Sequence, residues 1–157
     1  MAEVLIVDDD PDIRAMLAIT LEDFGYEVRE AGDGVQALSA LESNPPDAMV
    51  LDVMMPSLDG FGVLRELRRR DLAPDTRVML LTCKTEERDF VRGWELGADE
   101  YLTKPFDPDT LVRKLDELLS ASVEDLRDRR EHELQKAELL DRLESAFTRT
   151  RGRRTSV

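Results

Sequence analysis

Short apolar segments alternate with longer amphipathic stretches over the first 119 residues of the chain. Five short segments have the length and composition of strands, and three of them are continuous apolar runs typical of strands buried on both faces of a sheet. The predicted strands are Val4–Val7, Glu27–Ala31, Ala48–Leu51, Val78–Leu81 and Glu100–Leu102. A helical stretch follows each strand, so the pattern predicts five successive strand–helix units.

The amphipathic stretches carry helix start and stop signals. Asp-Pro pairs open the first and fifth at residues 10 and 107, and Asp33 and Asp59 precede the second and third. Gly97 follows the fourth, which we predict over residues 85–96. Strands that alternate with helices in this way form a parallel sheet with helices on both faces. The sequence therefore predicts a doubly wound α/β domain over residues 1–119.

The composition changes after residue 119. Residues 122–147 contain no Gly or Pro and are rich in Glu, Arg and Leu, which predicts a helical extension over 120–148 that either continues the fifth helix or is separate from it. A heptad frame places charged residues at three of nine core positions, so a coiled coil is only weakly indicated. The second half has a more continuous apolar face, formed by Leu139, Leu140, Leu143, Ala146 and Phe147. The basic residues 149–157 are predicted to form a disordered tail.

Charge is unevenly distributed between these segments. The net charge is −13, with 27 acidic and 13 basic residues in 1–119 but 8 and 9 in 120–157. The acidic body argues against nucleic-acid binding, so we do not expect this chain to bind DNA directly. No apolar run approaches the roughly 20 residues of a membrane span. The single cysteine, Cys83, suits a reducing compartment. We therefore expect a cytoplasmic protein without a membrane partner.

Chemically active side chains follow several of the predicted strands. Asp8 and Asp9 come after the first strand, Asp52 ends the third, Thr82 follows the fourth and Lys104 follows the fifth. Parallel strands bring their carboxyl ends to one edge of the sheet, where open α/β sheets bind ligands. Clustered carboxylates repel one another unless a cation relieves them, and Mg²⁺ is the cation best suited to carboxylates, water and a phosphoryl oxygen. Together with a hydroxyl and an ammonium, they indicate a phosphoryl group on a carboxylate nucleophile.

Each of these features also has a simpler interpretation when taken alone. The aspartates at 8–10 are equally suited to capping a helix, and Thr82 to ending a strand. Tyr101 and Trp94 are suited to packing. His132 on the helical extension is more typical of an exposed bystander than of a phosphotransfer residue. It is the joint occurrence of the aspartates with Lys104 that favours a metal site.

Four segments in order resemble a bacterial response-regulator receiver domain. They are VLIVDDDPDIR at 4–14, LDVMMPSLDGFGVL at 51–64, VMLLTCK at 78–84 and GADEYLTKPFDPDTL at 97–111. The resemblance covers residues 3–119, about three-quarters of the chain, and does not extend into the helical extension. It implies a flavodoxin-like fold of five strand–helix units, with the parallel strands in the order 2-1-3-4-5.

The resemblance also implies roles for the residues at the strand ends. Asp52 would accept a phosphoryl group from a histidine kinase. Mg²⁺ would be held by Asp9 directly, by Asp8 more through water, by Asp52, and by the backbone carbonyl of Met54. Lys104 would contact the phosphoryl oxygens.

The same resemblance implies a switch that reads the state of the site. Thr82 would be the switch hydroxyl and Tyr101 the switch aromatic, and the Lys104–Pro105 peptide bond would be cis. The surface of the fourth helix, fifth strand and fifth helix, which carries mixed charge including Asp99 and Glu100, would pass the signal on. An apolar Met54 near the phosphoryl group would leave self-dephosphorylation slow.

The implied function is a phosphorylation-dependent signalling switch of a two-component system, with no enzymatic activity beyond self-phosphorylation and slow self-dephosphorylation. The expected partners are a histidine kinase or phosphotransfer protein, a downstream protein, and a second copy of the chain. The homodimer would use the helix 4–strand 5–helix 5 surface and residues 122–147. An alternative is the N-terminal regulatory fragment of a longer response regulator with an enzymatic output, such as a cyclic-dinucleotide synthase. A scaffold that is never phosphorylated is disfavoured, because Asp52, Thr82 and Lys104 are all present.

Overall fold

Five parallel strands form a single sheet in the order β2-β1-β3-β4-β5, which confirms the predicted fold. The computed structural model describes residues 1–83 and 87–154, with side chains over residues 1–83 and 88–149. The strands are β1 Glu3–Val7, β2 Glu27–Ala31, β3 Ala48–Asp52, β4 Arg77–Thr82 and β5 Glu100–Thr103. Because all five run in one direction, the ends of β1, β3, β4 and β5 lie at a common edge.

Helices cover both faces of the sheet. They are α1 Pro11–Asp23, α2 Gly34–Ser43, α3 Gly60–Arg69, α4 Glu87–Glu95, α5 Pro108–Ser120 and α6 Val123–Arg154. The aspartates that predicted four of the starts are N-caps, since their carboxylates accept hydrogen bonds from first-turn N–H groups: Asp10, Asp33, Asp59 and Asp107. The fourth helix was predicted from residue 85, but residues 84–86 lie outside the described part of the chain.

Alternation along the strands divides the core into two layers. In β1, Val4 and Ile6 pack with α1 and α5, whereas Leu5 and Val7 pack with α2, α3 and α4. Successive strand residues point to opposite faces, so a strand covered on both faces is apolar throughout. β3 shows the consequence, because all five of its residues, including Asp52, are buried. The buried core therefore extends along β3 up to the edge where the polar residues lie.

The helical extension is a separate helix that folds back onto the domain. α5 ends at Ser120, Ala121 is extended with ψ 145°, and the Ser122 hydroxyl accepts a hydrogen bond from the N–H of Asp125 at 3.0 Å. α6 then packs against α4. Of the two arrangements left open by the sequence, a continuous fifth helix and a separate one, the structure has the second.

α6 also differs from the prediction at its far end. It reaches Arg154, whereas a disordered tail is predicted from residue 149. Arginine has a high helix propensity, and a helix already formed upstream extends without a new nucleation cost. Residues 155–157 of the predicted tail lie outside the described residues. Within the described part of the chain, no helix combines the length and apolarity needed to cross a membrane.

Candidate functional site

Two buried aspartates and one lysine meet at the carboxyl edge of the sheet. Asp8 follows β1 and Asp52 ends the adjacent strand β3, with exposed fractions of only 1% and 4%. Lys104 follows β5 and places its Nζ 3.4 Å from Asp8 Oδ2 and 3.3 Å from Asp52 Oδ1. Carboxylate oxygens of Asp8, Asp9 and Asp52 lie within 4.8 Å of one another. The structure thus brings together the four charged residues that were predicted for the site.

Backbone contacts hold the two buried carboxylates in place. Asp8 Oδ1 accepts a hydrogen bond from the N–H of Asp10 at 2.9 Å, and the Asp8 carbonyl accepts one from Arg14 Nη1 at 2.7 Å. The N–H of Met54 donates to Asp52 Oδ1 at 3.4 Å. Gly60 at the start of α3 packs so closely that a Cβ there would lie 2.5 Å from the Asp52 carbonyl oxygen. Sequence reasoning did not single out Arg14, whose only signal was its place one turn into α1.

The charges of the site are unevenly balanced. Burial raises the pKa of the Asp52 carboxyl above its ordinary value, and the negative charge of Asp8 raises it further, while Lys104 acts in the opposite direction. Burial disfavours the Lys104 ammonium, but Asp52 and Asp8 together outweigh burial and raise the pKa of Lys104. Two carboxylates share one ammonium, so the site has an excess of negative charge that a divalent cation would neutralise. Oxygen ligands of this kind suit Mg²⁺.

The rim of the site is built from the residues after β3 and β4. Thr82 ends β4 and is buried. Cys83 and Met54 are exposed, with Cys83 Sγ 3.5 Å from Met54 Sδ. Lys84 lies outside the described residues. The Lys104–Pro105 peptide bond is cis.

Tyr101 lies in β5 against the inner face of α4. Its hydroxyl donates to the Asp89 carbonyl oxygen at 2.8 Å, and its ring makes edge-to-face contacts with Phe90 and Trp94 at centroid distances of 4.8 and 5.5 Å. Burial raises the pKa of the Tyr101 hydroxyl. Gly93 leaves space for the Tyr101 side chain, because a Cβ at that position would lie 1.7 Å from the Tyr101 hydroxyl oxygen.

Asp99 and Glu100 differ from the expected exposed charges of a signalling surface. Both are buried, and they pair with Arg130 and Arg129 of α6. The sequence places both acids at the start of a strand. A charged residue at that position can be either buried or exposed, so the apolar pattern of the strand did not decide between the two. Nothing in the sequence indicated that α6 would supply their partners, because that contact joins residues about 30 positions apart.

The comparisons with known proteins agree with this geometry. The family described as response regulator receiver domain matches residues 4–116. The chain is 40% identical over 119 residues to the DNA-binding dual master transcriptional regulator RpaA of Synechocystis. It is 44% identical over 120 residues to the alkaline phosphatase synthesis transcriptional regulatory protein PhoP of Bacillus subtilis. Each alignment covers 76% of this chain and 49% of the relative, so the chain spans about half the length of these relatives.

Solved structures show the same similarity over the whole domain. Chemotaxis protein CheY4 of Vibrio cholerae is 38% identical with a TM-score of 0.71, covering 75% of this chain and 98% of that one. A CheY-like response regulator receiver domain protein of Methanospirillum hungatei is 28% identical with a TM-score of 0.71, covering 85% and 98%. The chain belongs to the response regulator receiver domain family, the signal-receiving domains of two-component systems. Receiver domains bind Mg²⁺ at an acidic pocket, and the Asp8, Asp9 and Asp52 carboxylates fit that use.

Proposed function

We propose that this protein is a phosphorylation-dependent switch that accepts a phosphoryl group on Asp52 from a histidine kinase or a phosphotransfer protein. The observation that carries the proposal is the position of the Asp52 carboxylate, buried at the strand edge beside Asp8 and 3.3 Å from the Lys104 ammonium. A buried carboxylate next to a fixed cation is a suitable nucleophile for phosphoryl transfer.

The reaction follows from these charges. A carboxylate oxygen of Asp52 attacks the phosphorus of a phosphohistidine, the phosphorus–nitrogen bond breaks, and its electron pair stays with the departing imidazole. The Asp52 side chain becomes an acyl phosphate, and Lys104 neutralises part of the charge on its oxygens. Mg²⁺, held by Asp8, Asp9, Asp52 and the Met54 carbonyl, would supply the remaining charge compensation.

The signal leaves the site through Thr82 and Tyr101. The phosphoryl oxygens attract the Thr82 hydroxyl, and Tyr101 turns toward the space that Thr82 vacates. The surface of α4, β5 and α5 then changes and alters the contacts with a downstream protein or with a second copy of the chain. Met54 offers no polar group to position an attacking water, so the acyl phosphate hydrolyses slowly.

A second candidate is a regulatory part of a longer response regulator. It is favoured by the coverage of the relatives, in which the matched region makes up about half of a longer transcriptional regulator. In that arrangement α6 would connect the Asp52 site to an output domain, enzymatic or otherwise. That this chain does not bind DNA directly stays a prediction.

The direct test is phosphorylation by a small-molecule donor. Incubation with acetyl phosphate and Mg²⁺ should add one phosphoryl group to the intact protein, as measured by mass spectrometry. Asp52→Asn should abolish the addition, whereas Asp75→Asn, which alters an exposed aspartate on the same domain, should not. Unchanged phosphorylation of the Asp52→Asn variant would refute the assignment.

A further inference from the structure

Two arginines of α6 form ion pairs with the two acidic residues at the start of β5. Arg129 hydrogen bonds to Glu100, and Arg130 hydrogen bonds to Asp99. Arg130 Nε also donates to the Ala98 carbonyl oxygen at 3.1 Å. All four charged side chains are buried or partly buried, where charge-assisted hydrogen bonds are stronger than at a free surface.

The same two acids also accept hydrogen bonds from backbone N–H groups of β4 and β5. Glu100 Oε1 accepts a hydrogen bond from the N–H of Tyr101 at 2.8 Å. Asp99 Oδ2 accepts one from the N–H of Val78 in β4 at 2.9 Å. Each of these carboxylates therefore connects an arginine of α6 to the backbone of a strand, and both strands end at the Asp52 site. A shift of either strand alters the carboxylate to which α6 is bound.

An aromatic contact links α6 to Tyr101 by a second route. The Arg129 guanidinium lies over the Trp94 ring at 5.9 Å from its centroid, and the Trp94 ring contacts the edge of Tyr101. A groove of about 620 Å³ separates α6 from this part of the domain. Trp94 and Tyr101 line one side of the groove, and Ala137 and Leu140 of α6 line the other.

Charges further along the two helices are also complementary. A second groove lies between the two helices, to which α4 contributes two arginines and one glutamate and α6 three acids; these residues are Arg88, Arg92, Glu95, Glu138, Asp141 and Glu144. α6 thus pairs two arginines with Glu100 and Asp99, and places three acids on a groove where α4 carries more arginine than glutamate.

We propose that α6 is a ligand bound by its own chain to the α4–β5–α5 surface, and that phosphorylation of Asp52 releases it. The inference rests on the proposed function. A turn of Tyr101 toward Thr82 breaks the hydrogen bond to the Asp89 carbonyl and removes the edge contact beneath Trp94, on which Arg129 lies. The phosphorylated domain then binds α6 less tightly, and the population shifts toward free α6.

Hydrogen exchange of the full parent chain, measured with and without phosphorylation, tests whether α6 is released. With acetyl phosphate and Mg²⁺, peptides within residues 126–140 should exchange about tenfold faster or more, while β3 peptides keep their protection. The Asp52→Asn variant should show no change. Intact mass measured on the same samples separates the two claims. If no phosphoryl group is added, the proposed function fails. If the group is added and exchange in α6 stays the same, the release is refuted while the function stands.

Charge reversal tests the contact without phosphorylation. Arg129→Glu with Arg130→Glu should free α6 in the unphosphorylated chain. The quenching of Trp94, the single tryptophan, by acrylamide should then increase about twofold or more, as expected when an indole becomes accessible. The matched control is Arg127→Glu with Arg149→Glu, which makes the same charge change at exposed positions of α6 and should leave quenching unchanged. Equal quenching in the two variants, with β3 still protected, would overturn the proposal.

Discussion

At the scale of single residues, Asp52 combines two opposed requirements. Its side chain is buried at the strand edge, yet the proposed phosphoryl transfer requires it to be ionised. Burial raises the pKa of the Asp52 carboxyl, the negative charge of Asp8 raises it further, and Lys104 compensates these effects only in part. Active sites commonly retain such arrangements at a cost in stability.

Replacement of Asp52 by a neutral residue should therefore stabilise the fold. We expect Asp52→Asn to raise the free energy of unfolding at pH 7 by about 0.5–2 kcal/mol, the usual range for relief of an unfavourable functional site. An acid whose pKa is raised on folding destabilises the folded state only where it is ionised. The gain should shrink as the pH falls toward 3.8, the ordinary pKa of the group, because below it both states are protonated. Urea unfolding at several pH values measures this, with Asp75→Asn as the control.

Gly93 is a second residue with a defined steric role. Alanine at this position would place a Cβ 1.7 Å from the Tyr101 oxygen, so the ring must leave its position against α4. We expect Gly93→Ala to lower the free energy of unfolding by about 1–3 kcal/mol, as is usual for overpacking. In a Tyr101→Ala background the same change should cost much less. A double-mutant cycle by urea unfolding gives the coupling. Equal costs in the two backgrounds would show that Tyr101 is not what Gly93 accommodates.

At the scale of elements, the sequence was sufficient to predict the sheet but not to predict where α6 packs. Continuous apolar runs and capping aspartates are local signals, so they located β1 to β5 and the helix starts. Asp8, Asp52 and Lys104 could be brought together because parallel strand ends share an edge. The docking of α6 could not be predicted, because its partners are distant in sequence. Arg130 and Glu133 weakened the coiled-coil pattern, and both turn out to face the domain.

The contact of Arg130 should contribute measurably to stability. Its removal leaves the buried Asp99 carboxylate without its α6 partner, and the Ala98 carbonyl loses a donor. We expect Arg130→Ala to cost about 1–3 kcal/mol of unfolding free energy, the usual penalty for a buried group that loses its partner. Arg127→Ala, one turn away and exposed, should stay within about 0.5 kcal/mol of the parent. Thermal and urea unfolding would decide this, and equal effects would contradict the arrangement.

At the scale of the whole molecule, α6 has two faces with different uses. One face binds the domain through Arg129 and Arg130, and Ala137 and Asp141 of the same face line the two grooves. Leu139 and Leu143 lie on the other side of the helix, about 200° and 240° around from Ala137 at 3.6 residues per turn. Together with Phe147 they remain more than half exposed. A second copy could therefore bind this outer stripe while α6 stays on its own domain.

Truncation after Ser120 tests whether α6 supports a homodimer. We expect the parent chain to self-associate and the truncated chain to be monomeric, as measured by light scattering behind a sizing column. Leu143→Lys should weaken association by about tenfold or more, since a charge would enter an apolar contact. Ser145→Lys adds the same charge away from the stripe and should leave the mass unchanged. If truncation left self-association intact, the outer stripe would not be the dimer contact.

The central claim is that Asp52 carries the phosphoryl group. Borohydride reduces an acyl phosphate to an alcohol, so a phosphorylated aspartate is converted to homoserine, and peptide sequencing by mass spectrometry locates it. After treatment with acetyl phosphate, Mg²⁺ and borohydride, we predict homoserine at position 52 and unmodified aspartate at positions 8, 9 and 75. Homoserine at another aspartate, or none in a chain that has gained a phosphoryl group, would contradict the account.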